Sequence, residues 1–251
     1  MKFSIAIPAH DRGPNGPKWM RELLTSLKGQ TLQDFDIVVS DQSPVGDDRI
    51  LETCKEFSDD FEFTYIRYTG PVACENINTA LKECTGEIVK IMFSDDIFIT
   101  DKALEIIADA YDSTGCKWAF SGFCEMTEDG STLWGHKEPK WSKYTLEGNN
   151  TLSSPSVVSF RNDSKLYFDE FMKQSLDVEF YHRMRWENGM PHIISDVLVA
   201  NRGHSGRVGN TTYDTVLQTE VGQWHVKRAE LEYTNNKYKE FLVDRKYPDE
   251  K

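Results

Sequence analysis

From Phe3 to Phe93 the chain alternates short apolar runs with amphipathic stretches of helical spacing, and this alternation restricts the fold more than any other feature. Phe3–Ile7, Asp36–Val39, Phe61–Arg67 and Glu87–Phe93 read as strands, and Lys18–Lys28, Asp48–Phe57 and Ala73–Cys84 as helices. In the first helix Trp19, Leu23, Leu24 and Leu27 share one side, the stripe a helix needs to pack on a sheet. Strands separated by helices of this length imply right-handed crossovers and a mostly parallel sheet with flanking helices.

After residue 100 the pattern loosens. Lys102–Tyr111 reads as helix, Trp118–Met126 and Ser154–Phe160 as strands, Asp177–Glu187 as helix and Ile193–Ala200 as strand. Between them a polar stretch with Trp134, His136 and Trp141 carries turn signals at Asp129-Gly130 and Glu147-Gly148-Asn149-Asn150 and is expected to shape a pocket. Residues 214–245 are charged, with Val216, Val221, Trp224, Val226, Leu231 and Tyr233 at helical spacing, so a carboxyl-terminal helical extension is expected, its apolar side on the core. The expected division is a domain over 1–210, with halves at 1–100 and 101–210, followed by an extension over 211–251.

Charge and cysteine use narrow the function classes. A net charge of −12 disfavours non-specific attraction to nucleic-acid phosphates or anionic lipid. Five cysteines, odd in number and without a CxxC pair, argue against a disulfide framework or a structural zinc site. The opening apolar run is cut by Pro8 and no run approaches a membrane span, so a soluble, cytoplasmic protein is expected.

The chemistry-bearing residues sit at strand and helix ends. The apolar run Glu87–Phe93 stops at Ser94, Asp95 and Asp96. Two carboxylates at the carboxyl end of a buried strand suit the mouth of an open α/β sheet and a hard cation, although an Asp ending a strand also serves as turn or cap. Asp41 follows the second strand and opens Asp-Gln-Ser-Pro, ordinary turn chemistry. Asp177 opens a helix, where a carboxylate also interacts favourably with the helix dipole.

Taken in order, these segments resemble the family 2 inverting glycosyltransferases of the GT-A fold over roughly residues 3–208. Ser4-Ile5-Ala6-Ile7-Pro8-Ala9-His10-Asp11-Arg12 is similar to the family's opening strand and its Pro-Thr-Tyr-Asn-Arg. Ile37 to Ser43 resembles the strand ending in Asp-Asp-Gly-Ser. The run from Gly70 to Glu87, with Asn76 inside it, resembles Gly-x-x-x-Ala-Arg-Asn followed by Ala-x-Gly-Glu. Phe93 to Asp96 stands where the family has its DXD-like metal motif.

The resemblance implies a GT-A, Rossmann-like sheet and roles for individual residues. Pro8, Ala9 and Asp11 would line the nucleotide pocket with Asn76 nearby, and Asp41 would accept the uracil N3–H, favouring a UDP-sugar donor. Asp96 would ligate Mn²⁺ or Mg²⁺, and Asp95 would contact the ribose or sugar. Asp177 would be the catalytic base, although Leu176 replaces the Glu that the family places before it. His204 would meet the metal or a phosphate, and Arg207 would neutralise the leaving group. Glu75 in place of the family's Arg, and His10-Asp11 in place of Tyr-Asn, are further departures. The implied activity is metal-dependent transfer of a sugar from a nucleotide-sugar to a saccharide acceptor, on which Trp118, Trp134 and Trp141 are candidates for stacking. A sugar-phosphate nucleotidyltransferase and a non-catalytic saccharide-binding module are the alternatives.

Overall fold

The computed structural model describes residues 2–10, 13, 15–147, 150–205 and 220–250, excluding the side chains of 147, 220–228 and 244. Its centre is a nine-stranded sheet of order β3-β2-β1-β4-β8-β6-β9-β5, with β7 paired to β6. The strands are β1 (Phe3–Ala9), β2 (Phe35–Asp41), β3 (Phe63–Arg67), β4 (Ile88–Ile91), β5 (Ile97–Phe98), β6 (Trp118–Met126), β7 (Leu133–Lys137), β8 (Val158–Arg161) and β9 (His192–Arg202). The helices are α1 (Gly16–Lys28), α2 (Arg49–Lys55), α3 (Ala73–Glu83), α4 (Ala103–Thr114), α5 (Leu176–Asn188), α6 (Glu220–Lys237) and α7 (Lys239–Asp244).

The alternating first third forms the parallel part of the sheet. β1 pairs with β2 from Phe3↔Phe35 to Ala9↔Asp41, and on its other edge with β4 from Phe3↔Ile88 to Ala6↔Ile91. Phe3, Ile5, Ala6 and Ile7 are fully buried because β1 is covered on both faces, which is why it reads as a continuous apolar run. α1 adds Met20, Leu23, Leu24 and Leu27 to the same core. Successive strands leave β1 in opposite directions, β2 to one side and β4 to the other. The carboxyl ends of β1 and β4 therefore flank a topological switch point, where an open α/β sheet leaves a crevice.

The second half extends the sheet with mixed pairing: β8 runs antiparallel to β4 and β6, and β9 runs parallel to β6. Two strands went unread in the sequence. β5 is only a dipeptide held against β9, and β7 forms an exposed antiparallel hairpin with the end of β6. Too short in one case and too polar in the other, neither leaves a periodic signal. Leu231 departs from expectation, lying 45% exposed on α6 while Glu230 and Thr234 take the inward side. Val216 lies outside the described residues, as do the side chains of Val221, Trp224 and Val226. Among the described residues no helix is long and apolar enough to cross a membrane.

Candidate active site

A cleft of about 480 Å³ opens at the switch point. Pro8 and Ala9 from the end of β1, Phe93 to Asp96 after β4, Gln174 and Asp177 around the start of α5, and His204 beyond β9 all line it. Residues more than a hundred positions apart, such as Asp95 and His204, thus share one wall because the strands that lead into them end on the same side of the sheet.

The acidic turn after β4 is bolted in place by Arg202. This fully buried residue donates its backbone N–H to Asp96 Oδ1 at 2.9 Å, Nε to the Asp95 carbonyl at 2.8 Å and a guanidinium nitrogen to the Glu128 carbonyl at 2.8 Å. It also pairs with Glu22. Asp95 Oδ2 lies 2.8 Å from His204 Nε2, and the His204 ring packs on Trp19 with centroids 4.4 Å apart. Beneath the turn, Lys90 is fully buried and donates to the Ser156 and Val158 carbonyls. Burial pushes the Lys90 ammonium down to about 7, opposed by the negative charge of Asp96. Ser156 Oγ in turn accepts the Phe93 N–H at 2.9 Å, tying the acidic turn to the Ser154–Pro155 wall.

Across the cleft, the backbone N–H of Val178 donates to Asp177 Oδ1 at 2.8 Å and Asn150 Nδ2 donates to Asp177 Oδ2 at 2.6 Å. Burial dominates these bonds and pushes the carboxyl up to about 6. The contact with Val178 is a first-turn capping contact, so the helix-capping reading holds for one oxygen. The other faces the Asn150 loop, whose amide oxygen is fixed by the N–H groups of Leu152 and Ser153. Asn150 went unread as a site residue because Gly-Asn-Asn signals only a turn.

Two residues expected to contact the donor, Asp41 and Asn76, are hydrogen-bonded within the protein. Asp41 is fully buried behind the cleft, where it accepts Ser43 N–H at 2.8 Å, Ser43 Oγ at 2.5 Å and Tyr65 Oη at 2.6 Å, and pairs with Arg67 at 2.9 Å. Four donors fill the lone-pair directions of a carboxylate, so Asp41 shapes the turn after β2, and Gln42 forms the wall. Asn76 reaches the cleft, but its amide is spent inward: Nδ2 donates to the Ala9 carbonyl at 3.1 Å and Oδ1 accepts Ser40 Oγ at 2.6 Å. Asn76 thereby holds the β1 and β2 ends together, and Asp41 ties the end of β2 to β3, pairings that sequence spacing does not reveal. Asp11 and Arg207 lie outside the described residues.

Of the three tryptophans, Trp118 is core, donating Nε1 to the Gly189 carbonyl, and Trp141 packs edge-on against it. Trp134 is 46% exposed on β7.

Asp95, Asp96 and His204 supply oxygen and imidazole donors on one wall. Among the described residues, no three His, Cys, Asp or Glu side chains assemble a cage for a metal ion. This donor set suits a hard cation that takes most of its ligands from a bound diphosphate and water rather than from protein.

Residues 4–176 match the family described as Glycosyl transferase family 2. An uncharacterized glycosyltransferase of Rickettsia conorii is 25% identical over 133 residues, 53% of this chain and 21% of that protein. One of Rickettsia bellii is 23% identical over the same length, 18% of that protein. The chain thus spans about a fifth of the length of these curated relatives. Among solved structures, S. aureus TarS in complex with UDP-GlcNAc superposes with a TM-score of 0.66 at 20% identity, over 92% of this chain and 65% of that one. The Pyrobaculum calidifontis mannosyltransferase PcManGT, in complex with GDP-Man and Mn²⁺, gives 0.61 at 15% identity over 99% and 66%. The fold they share with this chain is GT-A.

Proposed function

The chain belongs to glycosyl transferase family 2, and from that premise we propose that it transfers a sugar, with inversion, from a UDP-sugar to a saccharide acceptor. The observation that carries this reading is that Asp177 and the Asp95 and Asp96 turn line one cleft at the switch point of the sheet.

In this reading the nucleotide lies over the carboxyl ends of β1 and β2, with Pro8 and Ala9 beneath it. Gln42, whose Nε2 donates to the Gly70 carbonyl at 3.0 Å, presents its amide to the base edge. Asp95 orients the donor's ribose or sugar. Asp96 and His204 would hold a divalent cation, Mn²⁺ or Mg²⁺, which when bound with the diphosphate offsets charge on the leaving group. Asp177, kept in place by Asn150, takes the acceptor hydroxyl proton as that oxygen attacks the anomeric carbon. Its carboxyl, raised to about 6, is ionised at neutral pH yet basic enough to accept a proton.

A panel of UDP-, GDP- and dTDP-sugars, screened by thermal shift with and without Mn²⁺, tests donor binding without the acceptor. We expect metal-dependent stabilisation by UDP-sugars. Stabilisation by GDP- or dTDP-sugars alone would reject the uridine assignment, and no response to any nucleotide-sugar would reject the function.

A further inference from the structure

α6 lies outside the cleft wall, yet one of its residues reaches the chain just before the catalytic helix. Glu230 is buried, 3% exposed, and its carboxylate accepts three consecutive backbone N–H groups. Oε1 takes Lys173 at 2.7 Å and Gln174 at 3.0 Å, and Oε2 takes Ser175 at 3.0 Å. Burying a carboxylate is costly unless strong donors surround it, and three charge-assisted bonds meet that requirement. The next residues are Leu176 and Asp177, and Ser175 itself makes no side-chain capping bond. Two cleft residues, Gln174 and Asp177, thus take their direction from a backbone that Glu230 pins.

The grip continues along α6 and past its end. Tyr233 Oη donates to Asp169 at 2.6 Å, Lys237 Nζ donates to Glu179 at 2.9 Å, and Tyr238 Oη donates to Glu179 at 2.5 Å. The segment carrying Asp177 is therefore held on both sides by the carboxyl-terminal extension. Packing alone would need apolar residues on the inward face of α6, but a buried carboxylate stands there instead, aimed at backbone donors of one short segment.

We propose that Glu230 is a positioning residue, its carboxylate fixing the Lys173–Ser175 backbone so that Asp177 stands at the acceptor oxygen. The inference rests on the assignment of Asp177 as base. Hydrogen exchange over 169–181, compared in the wild type, Glu230→Ala and Glu230→Gln, reads the pinning without any substrate. UDP release from UDP-GlcNAc with water as acceptor, alongside UDP affinity, reads its consequence.

In Glu230→Ala, exchange at 173–175 is expected to rise by roughly tenfold or more while the β1–β4 strands are unchanged. The rate of release should fall by about ten- to a hundredfold, the effect of ångström-scale misplacement, with UDP affinity kept within about twofold. Glu230→Gln keeps an oxygen for Lys173 and Gln174 but turns a donor toward Ser175. It should lie between the two, and it stands in if the alanine variant does not fold. Phe241→Leu loosens the same carboxyl-terminal packing without touching 173–175. Unchanged exchange at 173–175 would overturn the proposal, as would an equal loss of rate in Phe241→Leu at equal loss of melting temperature. Asp177→Asn separates the two readings: loss of release with undisturbed exchange supports the base assignment, whereas retained release sinks that assignment and leaves the pinning to be judged by exchange alone.

Discussion

In the proposed mechanism Asp177 concentrates the chemistry in one side chain, and its environment makes opposite demands on stability and activity. Burial raises the carboxyl to about 6, above the roughly 3.9 of an unfolded aspartate. Between those values the folded state binds the proton more tightly, so Asp177 lowers stability as pH rises through that window. Asp177→Asn should therefore melt higher than wild type at pH 8, by an amount worth up to about 3 kcal/mol, and show little such gain near pH 4. The same substitution removes the proton acceptor and should reduce turnover by roughly 10²–10⁴ while donor binding persists. The wild-type rate should rise with pH through about 6. Near-wild-type turnover in Asp177→Asn, together with unchanged melting at pH 8, would return Asp177 to a capping role. That role was legible in the sequence beside the catalytic one, because a first-turn carboxylate serves either purpose.

At the scale of elements, the acidic turn depends on β4 entering the sheet beside β1 without any side chain between them. Gly86 lies where a Cβ would fall 2.4 Å from the carbonyl carbon of Phe3 and 2.5 Å from the nitrogen of Ser4. Its N–H and that of Thr85 both donate to Ser4 Oγ, at 2.8 and 3.0 Å. Gly86→Ala would push backbone against backbone, which no rotamer change relieves. It should cost roughly 2–3 kcal/mol in denaturant unfolding, and because β4 leads into Asp95 and Asp96, donor affinity should fall with it. An alanine variant as stable as wild type would show that the sheet tolerates a spread at this edge. The strands around this contact were legible, since covered parallel strands must be apolar. The close approach was not, because a glycine in sequence looks the same in a turn as beneath a neighbouring strand.

For the whole molecule, the carboxyl-terminal segment closes over α5. Tyr247 is 1% exposed, packs on Phe241 with ring centroids 4.7 Å apart and lies under the Arg185 guanidinium at 4.2 Å. Its hydroxyl is 3.0 Å from His182 Nδ1, and burial lowers that imidazole to about 4. Arg185, 1% exposed, is further paired with Asp249 and Glu250. Tyr247→Ala should destabilise the protein by roughly 3–5 kcal/mol, the usual cost of emptying an aromatic site, and uncover a charge otherwise buried. If the variant melts within a degree of wild type, the tail is an ornament rather than part of the core.

The order of strands and helices, the parallel half of the sheet and the placing of Asp95, Asp96 and Asp177 at element ends follow from sequence alone, because hydrophobic periodicity is a local property that each segment carries with it. Tertiary structure decided the partners of the polar groups. Asp41 turned inward to Ser43, Tyr65 and Arg67, His204 met Asp95, and Glu230 crossed from α6 to three amides before α5. A buried polar group is satisfied by whichever distant donor the fold delivers. That pairing is a property of two segments at once, and neither segment's pattern contains it.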